Sequence, residues 1–184
     1  IAKAAGQLPS GFNPADHYNS RFHPRSLQMA LIGASDAVHS IGIPWDTVAA
    51  SVAPDEVGVY SSSVLSQMTE EGFGGLLQAR LRGGRTTAKQ VPLGLNSMPA
   101  DFINAYVLGS VGHTEAITGA CASFLYVLQA AVRDIRSGRR RVAILGNAEA
   151  AVTPEISEGF ANMSALGSDE NLCKLDGTET PDWR

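Results

Sequence analysis

The chain has 184 residues, of which 44% are hydrophobic and 17% are charged, a composition that predicts one globular domain with a hydrophobic core. Its net charge of −4 gives no indication of nucleic-acid binding. The sequence contains no run of about 18 apolar residues and therefore predicts no membrane-spanning helix.

The first predicted helix follows a loop, residues 1–20, that is rich in glycine, proline, asparagine and aspartate. Pro24 suits the first turn of a helix, and Gly42 suits its end. Between them, apolar residues recur at the spacing of one helical face: Leu27, Leu31, Ala34, Val38 and Ile41. The pattern predicts an amphipathic helix.

The next segments predict a strand, a loop and a second helix. Val57–Tyr60 is a short apolar strand, and Ser61–Ser63 follow it as a polar turn. Residues 65–81 show only an interrupted helical pattern. Arg80–Lys89, RLRGGRTTAK, is predicted as an exposed loop that is either solvated or in contact with a phosphopantetheine phosphate. Residues 95–108 are the second helix candidate.

A strand–helix–strand unit surrounds Cys121. An apolar strand ends in Thr118–Ala120, and Cys121 follows at once. A helix is predicted from Cys121 to Gly138, and Val142–Leu145 is the next buried strand. The unit predicts a right-handed parallel crossover. The predicted apolar face of its helix comprises Cys121, Phe124, Leu125, Leu128, Ala131, Val132 and Ile135.

Cys121 is placed by this pattern at a helix start, where the first N–H groups lack intrahelical partners and the dipole adds positive charge. A thiolate is favoured there, and the same N–H groups can donate to an oxyanion on a substrate carbonyl. The alternative is a buried packing residue, since free cysteine is among the most buried residue types. His113 is not expected to pair with Cys121, because the intervening strand residues separate them by about 25 Å.

The two cysteines, Cys121 and Cys173, are too few for a disulfide framework, so a reducing cytoplasm is the expected compartment. No histidine or cysteine cluster has metal-ligand spacing, which predicts no metal. Thr153–Glu155 is a helix-start signal. Residues 167–184 are predicted as a loop, in which Cys173 is incidental.

The block TGACAS, residues 118–123, resembles the active-site block of β-ketoacyl-acyl carrier protein synthases, the type I and II condensing enzymes of the thiolase superfamily. Residues 145–149 resemble that family's Gly-Gly-x-Glu segment, and Gly159-Phe160 with Ala165-Leu166 resembles its Gly-Phe…Ala-Leu segment. Residues 96–112 are similar to the helix that leads into the active-site strand. The likeness covers residues 12–184.

The resemblance implies an α/β thiolase-like layered fold, with a mixed sheet and flanking helices. Residues 1–184 are expected to be the N-terminal half of such an enzyme, truncated at both ends, because the family has an earlier strand and places its catalytic histidines in a second half. The full-length enzyme is expected to be a cytoplasmic homodimer, with part of residues 95–108 at the dimer interface.

The implied function is acyl transfer to Cys121, followed by decarboxylative Claisen condensation with a malonyl-carrier in fatty acid or polyketide synthesis. Val64 and Phe160 match positions that line the acyl pocket. Arg21 and Arg25 match basic residues that dock the acyl carrier protein. No cofactor is implied beyond the phosphopantetheine or coenzyme A that the substrates carry.

Three other positions bear on this reading. Phe22 and Ser26 stand where the family often has lysine, which implies weaker or shifted carrier docking. Glu149 ends a buried strand and could be a base, but the resemblance implies that it holds nearby backbone N–H groups.

Alternative functions remain open from the residues. A thiolase acting on acyl-CoA shares the fold but uses a second cysteine, and the Gly-Phe…Ala-Leu segment argues against it. A non-catalytic chain-length partner replaces the cysteine, and Cys121 argues against that. A plain interaction module would have Cys121 only as a core residue, and thiol reactivity distinguishes it from the enzymes.

Overall fold

The computed structural model describes residues 7–19, 22–65 and 68–183. The chain divides into two compact units. The larger unit is residues 13–151, and the smaller combines residues 1–12 with residues 152–184. The whole strand–helix–strand unit around Cys121 lies in the larger one.

A three-stranded sheet is the centre of the larger unit. Its strands are β1 (Val57–Tyr60), β2 (His113–Glu115) and β3 (Val142–Leu145), in the order β2-β1-β3. Tyr60 lies opposite Glu115 on one side and Leu145 on the other. The described strands are all parallel, whereas we expected a mixed sheet. The reason is that long crossover connections, such as the one predicted around Cys121, join strands that run in the same direction.

Helices flank the sheet on both faces. In the larger unit they are α1 (Arg25–Ser40), α2 (Trp45–Ala49), α3 (Phe73–Gln78), α4 (Gln90–Gly94), α5 (Met98–Ile103) and α6 (Ser123–Arg136). A π-helical turn, Asn104–Leu108, continues α5. The smaller unit contains α7 (Pro154–Asn162) and α8 (Asp169–Asp176). Among the described residues, no helix combines the length and the apolar character that crossing a membrane requires.

One face of the sheet packs against α1 and α5. Successive strand residues point to opposite faces, and Val57 and Val59 point to this side. Leu27 and Leu31 of α1 are fully buried there. The predicted face of α1 is confirmed except at its end, where Ile41 is 51% exposed. The rest of this core is Ala34, Val38, Leu93, Ala100, Ile103 and Leu108.

The opposite face of the sheet packs against α6, but through a different side of the helix from the predicted one. The Tyr60 ring lies over Gly58, where an added Cβ would come within 2.6 Å of it, so α6 approaches this face with small side chains. The buried residues of α6 are Ser123, Val127, Ala130, Ala131 and Asp134. The large apolar residues face away and are 37–62% exposed: Phe124, Leu125, Leu128, Val132 and Ile135. The predicted helix is confirmed, but of its predicted apolar face only Ala131 is buried.

These five exposed residues form the apolar face of α6. We expect the isolated 184-residue chain to associate through it, because contiguous exposed apolar surface marks an interaction or aggregation site. Light scattering after size-exclusion chromatography should show dimers or larger species. Replacing both Leu125 and Val132 by glutamine should shift the chain towards monomer. Leu175→Gln in α8, at a leucine that is 81% exposed, is the control. A monomeric wild type at all concentrations would contradict the expectation.

The segment predicted as a C-terminal loop contains a helix instead. The Ser168 hydroxyl accepts a backbone N–H bond at 3.2 Å at the start of α8, and Asp169-Glu170 follow in its first turn. Gly177 ends the helix with a left-handed φ of 67°. These start and stop signals outweigh the polar composition of the segment. Cys173 lies in this helix and is half-buried.

The two other helix predictions hold with small changes. Thr153 caps α7 as predicted, since its hydroxyl accepts the Ile156 N–H at 3.4 Å. The helix predicted over residues 95–108 is α5 with its π-helical turn. It buries Ile103 and Leu108, whereas Tyr106 is 42% exposed.

Candidate active site at the carboxyl edge of the sheet

Three loops leave the carboxyl ends of the parallel strands and begin at one edge of the sheet. Residues 61–65 follow β1, residues 116–121 follow β2 and residues 146–149 follow β3. The Ser61 N–H donates to the Glu115 carbonyl at 3.1 Å, and the Gly146 N–H donates to the Tyr60 carbonyl at 3.2 Å. Ligand sites in open parallel sheets form at this edge. Cys121 and Val64 both belong to these loops.

Cys121 occupies a tight turn before α6. The helix begins at Ser123, so the predicted start is two residues too early. The Ala122 N–H donates to the Gly119 carbonyl at 3.0 Å, and the Ser123 N–H donates to the Ala120 carbonyl at 3.1 Å. These two N–H groups are used by the turn and are therefore not the free helix-start donors that we expected. Ala120 has a left-handed φ of 49°, a conformation that costs an alanine about 1 kcal/mol or more.

The buried Ser123 side chain holds this turn. Its Oγ accepts the Gly119 N–H at 2.9 Å and donates to the Ala120 carbonyl at 2.7 Å. Gly119 has no room for a side chain, because a Cβ there would overlap the Tyr126 ring. The turn is fixed while Cys121 is exposed, which is the opposite of the burial expected for a packing cysteine. This geometry suits a nucleophile that must meet a substrate.

The loop after β1 contains three completely buried serines, Ser61–Ser63. The Ser62 Oγ donates to the Ile117 carbonyl at 2.8 Å and accepts a hydrogen bond from Asn147 Nδ2 at 3.0 Å. One hydroxyl thus joins all three loops, including the loop that carries Cys121. The sequence indicated a polar turn but not this role. The available signal was three consecutive small hydroxyl residues directly after a buried strand.

Glu149 fixes the part of the β1 loop that carries Val64. Its carboxylate accepts the Val64 N–H on one oxygen. The other oxygen accepts the Leu65 N–H at 3.1 Å and the Ser63 hydroxyl at 3.4 Å. The prediction that Glu149 holds nearby backbone N–H groups is confirmed. Val64 itself is half-buried, and its position is set by a residue that lies 85 positions later in the chain.

A buried hydrogen bond joins β1 to the last turn of α6. The Tyr60 hydroxyl donates to Asp134 Oδ2 at 2.8 Å, and Asp134 is 3% exposed. The other oxygen of Asp134 accepts Arg139 at 2.7 Å and Arg133 at 3.2 Å. The hydrogen bond from Tyr60 holds the pKa of Asp134 below its usual range. Burial, with the bond to Asp134, raises the pKa of Tyr60 to about 12.

Sequence reasoning missed this Tyr60–Asp134 pair. The available signal was the spacing of Asp134, which follows Ala131 by three positions and Ala130 by four. This spacing puts Asp134 on the small-residue face of α6. The large apolar residues on the neighbouring face concealed it.

His113, Glu115 and Asp134 bring metal-ligating groups within 4.8 Å of one another. The carboxylate oxygens, however, are held by guanidinium groups, since Arg133 also lies 3.6 Å from Glu115 Oε2. His113 Nε2 lies 3.4 Å from the same Glu115 oxygen. Positive groups already neutralise the two carboxylates, so the cluster fits an ion-pair network better than a cation site.

The remaining candidate residues lie outside these three loops or outside the described residues. Arg25 is the exposed first residue of α1, and Arg21 lies outside the described residues. Phe160 lies in α7 of the smaller unit and is half-buried. The pocket role of Phe160 and the docking roles of Arg21 and Arg25 stay predictions.

Three known proteins resemble this chain in sequence. Over 182 residues the chain is 57% identical to the β-ketoacyl-[acyl-carrier-protein] synthase FabY of Pseudomonas aeruginosa, covering 99% of this chain and 29% of that protein. It is 31% identical over 179 residues to the fatty acid synthase subunit alpha of Schizosaccharomyces pombe, covering 89% of this chain and 9% of the relative. It is 28% identical over 181 residues to the fatty acid synthase alpha subunit stcJ of Emericella nidulans, covering 89% of this chain and 11% of the relative.

A solved structure agrees with these relatives. The crystal structure of the noncanonical ketosynthase FabY from P. aeruginosa matches with a TM-score of 0.86 and 56% identity, over 99% of this chain and 28% of that one. The fold is therefore the thiolase-like α/β fold of that enzyme. The chain spans less than a third of the length of each of these proteins. The sequence profile described as "Beta-ketoacyl synthase, N-terminal domain" matches residues 3–177, so the chain belongs to the β-ketoacyl synthase family.

Proposed function

We propose that this chain is the cysteine-bearing part of a β-ketoacyl-acyl carrier protein synthase of fatty acid or polyketide synthesis. The observation that carries the proposal is the exposed Cys121 on its strained turn at the carboxyl edge of the sheet. Membership of the β-ketoacyl synthase family supports it. The proposed partners are an acyl carrier protein or acyl-CoA and a second copy of the full-length enzyme. The proposed compartment is the cytoplasm.

In the proposed reaction the Cys121 thiolate attacks the carbonyl of an acyl thioester, and the carrier or coenzyme A thiolate leaves and takes up a proton. The Cys121 N–H is a proposed donor to the intermediate oxyanion. A malonyl-carrier then loses CO₂, and its carbanion attacks the acyl-cysteine carbonyl. The Cys121 thiolate leaves as the β-ketoacyl product forms. The resemblance assigns the groups that promote decarboxylation to residues outside these 184, and the phosphopantetheine arm to the substrates.

The proposal is tested on the longer protein that contains this chain. Incubation with an acyl thioester should add one acyl mass to the intact protein, and peptide mapping should place it on Cys121. Addition of malonyl-carrier should remove the adduct and release CO₂ with a β-ketoacyl product. An adduct elsewhere, or product without an adduct, would overturn the proposal.

Alkylation gives a second expected result. In the longer protein, iodoacetamide should modify Cys121 much faster than Cys173 at neutral pH, because Cys121 is exposed and Cys173 is half-buried on a helix. Mass mapping of alkylated peptides over time measures both rates. The denatured protein, in which both cysteines should react at the same rate, is the reference. Equal rates for the two cysteines in the folded protein would contradict the expectation.

Val64 is proposed to limit the length of the acyl chain. Val64→Phe adds volume on a loop that Glu149 and Asn96 hold in place, so a longer acyl tail must overcome overpacking of about 1–3 kcal/mol. We expect acetyl transfer to Cys121 to remain and hexanoyl and decanoyl transfer to be lost, as measured by intact mass. Val64→Ala is the opposite-volume control. Equal loss of all three donors in Val64→Phe would contradict the pocket assignment.

A further inference from the structure

A chain of side-chain hydrogen bonds crosses the three loops at the carboxyl edge of the sheet, and it begins at Asn147. The Asn147 Nδ2 donates to Ser62 Oγ at 3.0 Å, and the Ser62 hydroxyl donates to the Ile117 carbonyl at 2.8 Å. A hydroxyl has one proton, and a carbonyl can only accept, so Ser62 uses its proton on Ile117 and accepts from Asn147. The bonds therefore run in one direction, from the loop after β3 to the segment that leads to Cys121.

The Asn147 side chain contributes to this chain of bonds only through its N–H donor. Its Oδ1 is buried, and no donor reaches that atom among the residues that the structure describes. An unpaired buried oxygen is unfavourable, so the donor end is the useful part of this amide. The Gly-Gly-x-Glu segment that residues 145–149 resemble has glycine at this position. The amide donor is therefore a departure of this chain from that motif.

Ile117 is the point at which the Cys121 segment is attached to the other loops. Its carbonyl is bound by Ser62, and its side chain packs against the core cluster on the α6 side of the sheet. The Ser123 hydroxyl also holds this segment, but its bonds go to the backbone of Gly119 and of its neighbour Ala120. Those bonds lie within the turn and fix its shape. The bond to Ile117 fixes the place of the turn relative to the β1 loop.

The β3 loop holds the β1 loop at two points. Asn147 binds Ser62, and Glu149, two residues further on, binds the N–H of Val64, which lies two residues after Ser62. The completely buried Ser62 then transmits this constraint to the segment that carries Cys121. The relative positions of Val64 and Cys121 thus depend on one hydroxyl and on the amide that orients it.

We propose that Asn147 is a positioning residue for acyl transfer, which acts through Ser62 to set where Cys121 meets the bound acyl donor. This inference rests on the proposed function. A thiolate must lie about 3–3.5 Å from the carbonyl carbon in the correct alignment, so a small displacement lowers the reaction rate without weakening donor binding. Loss of the Asn147–Ser62 bond lets the segment from Ile117 to Cys121 shift as a unit.

The test compares variants of the longer protein that contains this chain. Ser62→Ala removes the bridging hydroxyl, and Asn147→Ala removes the donor to it. Asn147→Asp keeps the shape of the side chain, but its carboxylate accepts the single Ser62 proton and draws it away from Ile117. Ser61→Ala is the matched control. Ser61 Oγ is equally buried in the same loop and has no hydrogen-bond partner within the described part of the chain.

The rate of acyl-Cys121 formation is measured by intact mass at increasing concentrations of an acyl thioester. We expect the maximal rate to fall about tenfold in Asn147→Ala and about tenfold to a hundredfold in Ser62→Ala and Asn147→Asp. The half-saturating donor concentration should stay within about twofold of wild type, because donor binding is not affected. Alkylation of Cys121 by iodoacetamide needs no bound donor and should also stay within about twofold. Ser61→Ala should match wild type in all three measurements.

A double variant distinguishes one shared role from two separate ones. If Asn147 acts through Ser62, then Asn147→Ala combined with Ser62→Ala should be no slower than Ser62→Ala alone. Multiplied losses would overturn the proposal. A loss confined to the half-saturating concentration would overturn it, and so would an equal loss of alkylation or an equal loss in Ser61→Ala. Urea unfolding reports which variants are folded. If Ser62→Ala does not fold, wild-type rates in both Asn147 variants overturn the proposal.

Failure of the proposed function would give a different result. A folded wild-type protein that forms no acyl-Cys121 refutes the function itself. A wild type that forms the acyl-enzyme at the same rate as the Asn147 variants supports the function and refutes the positioning role.

Discussion

Cys121→Ala in the longer protein is expected to abolish acyl-enzyme formation and to lower the rate of condensation by a factor on the order of 10⁴ or more. The reason is that the variant lacks the only atom to which the acyl group is transferred in the proposed reaction. The hydrogen bonds that hold the turn join the Ser123 hydroxyl to the backbone of Gly119 and Ala120, so they do not involve the Cys121 side chain and remain. Intact mass after incubation with an acyl thioester, and initial rates of product release, measure the two losses.

Cys173→Ala is the matched control, because it removes the same thiol from a half-buried position in α8. It should keep at least half of the wild-type rate. Circular dichroism should show that both variants fold. A Cys121→Ala protein that still condenses within tenfold of the wild-type rate would refute the catalytic assignment.

Asp134→Ala is expected to lower the free energy of unfolding by about 2–3 kcal/mol, the range for removing one partner of a buried charged hydrogen bond. The substitution leaves the buried Tyr60 hydroxyl without its acceptor. Arg133 and Arg139 are more than half exposed and regain water, so the expected cost lies below the about 3–5 kcal/mol of a broken, fully buried ion pair. Urea unfolding followed by circular dichroism measures the difference.

Tyr60→Phe removes only the hydroxyl and should cost about 1 kcal/mol, because Asp134 keeps its arginine partners. The double variant should cost less than the sum of the two single variants, which reports the coupling between the side chains. Additive effects would mean that the 2.8 Å hydrogen bond makes no net contribution to stability.

The same pair predicts how stability depends on pH. The pKa of Asp134 is lowered on folding, so its contribution is complete above the unfolded value of about 3.9 and is lost as pH falls below it. The pKa of Tyr60 is raised to about 12, so its contribution is complete below the unfolded value of about 10 and is lost as pH rises towards 12. The difference in the free energy of unfolding between wild type and Asp134→Ala should therefore be constant between about pH 5 and 9 and should decrease at both extremes.

Local sequence signals determined the elements of this protein that depend on near neighbours. The apolar run of β1, the spacing in α1, the crossover from Cys121 to β3 and the left-handed Gly138 at the end of α6 are all present. Periodicity and capping act within a few residues, so they are readable without the fold. Two local predictions failed in part: α8 was missed because polar composition received more weight than the Ser168 cap, and the start of α6 was placed two residues too early.

Tertiary structure alone decided which face of α6 is buried and how the candidate site is held. The Tyr60 ring over Gly58 makes α6 pack through its small residues, a result of side-chain volume across two elements that periodicity along one helix does not contain. Glu149 reaches Val64 across 85 positions, and Lys89 reaches Phe22 across the start of α1. The turn at Ala120 shifts Cys121 out of the helix because Ser123, not Cys121, takes the backbone bonds. The Glu149–Val64 and Lys89–Phe22 contacts join residues that are distant in sequence, and only the folded chain brings them together.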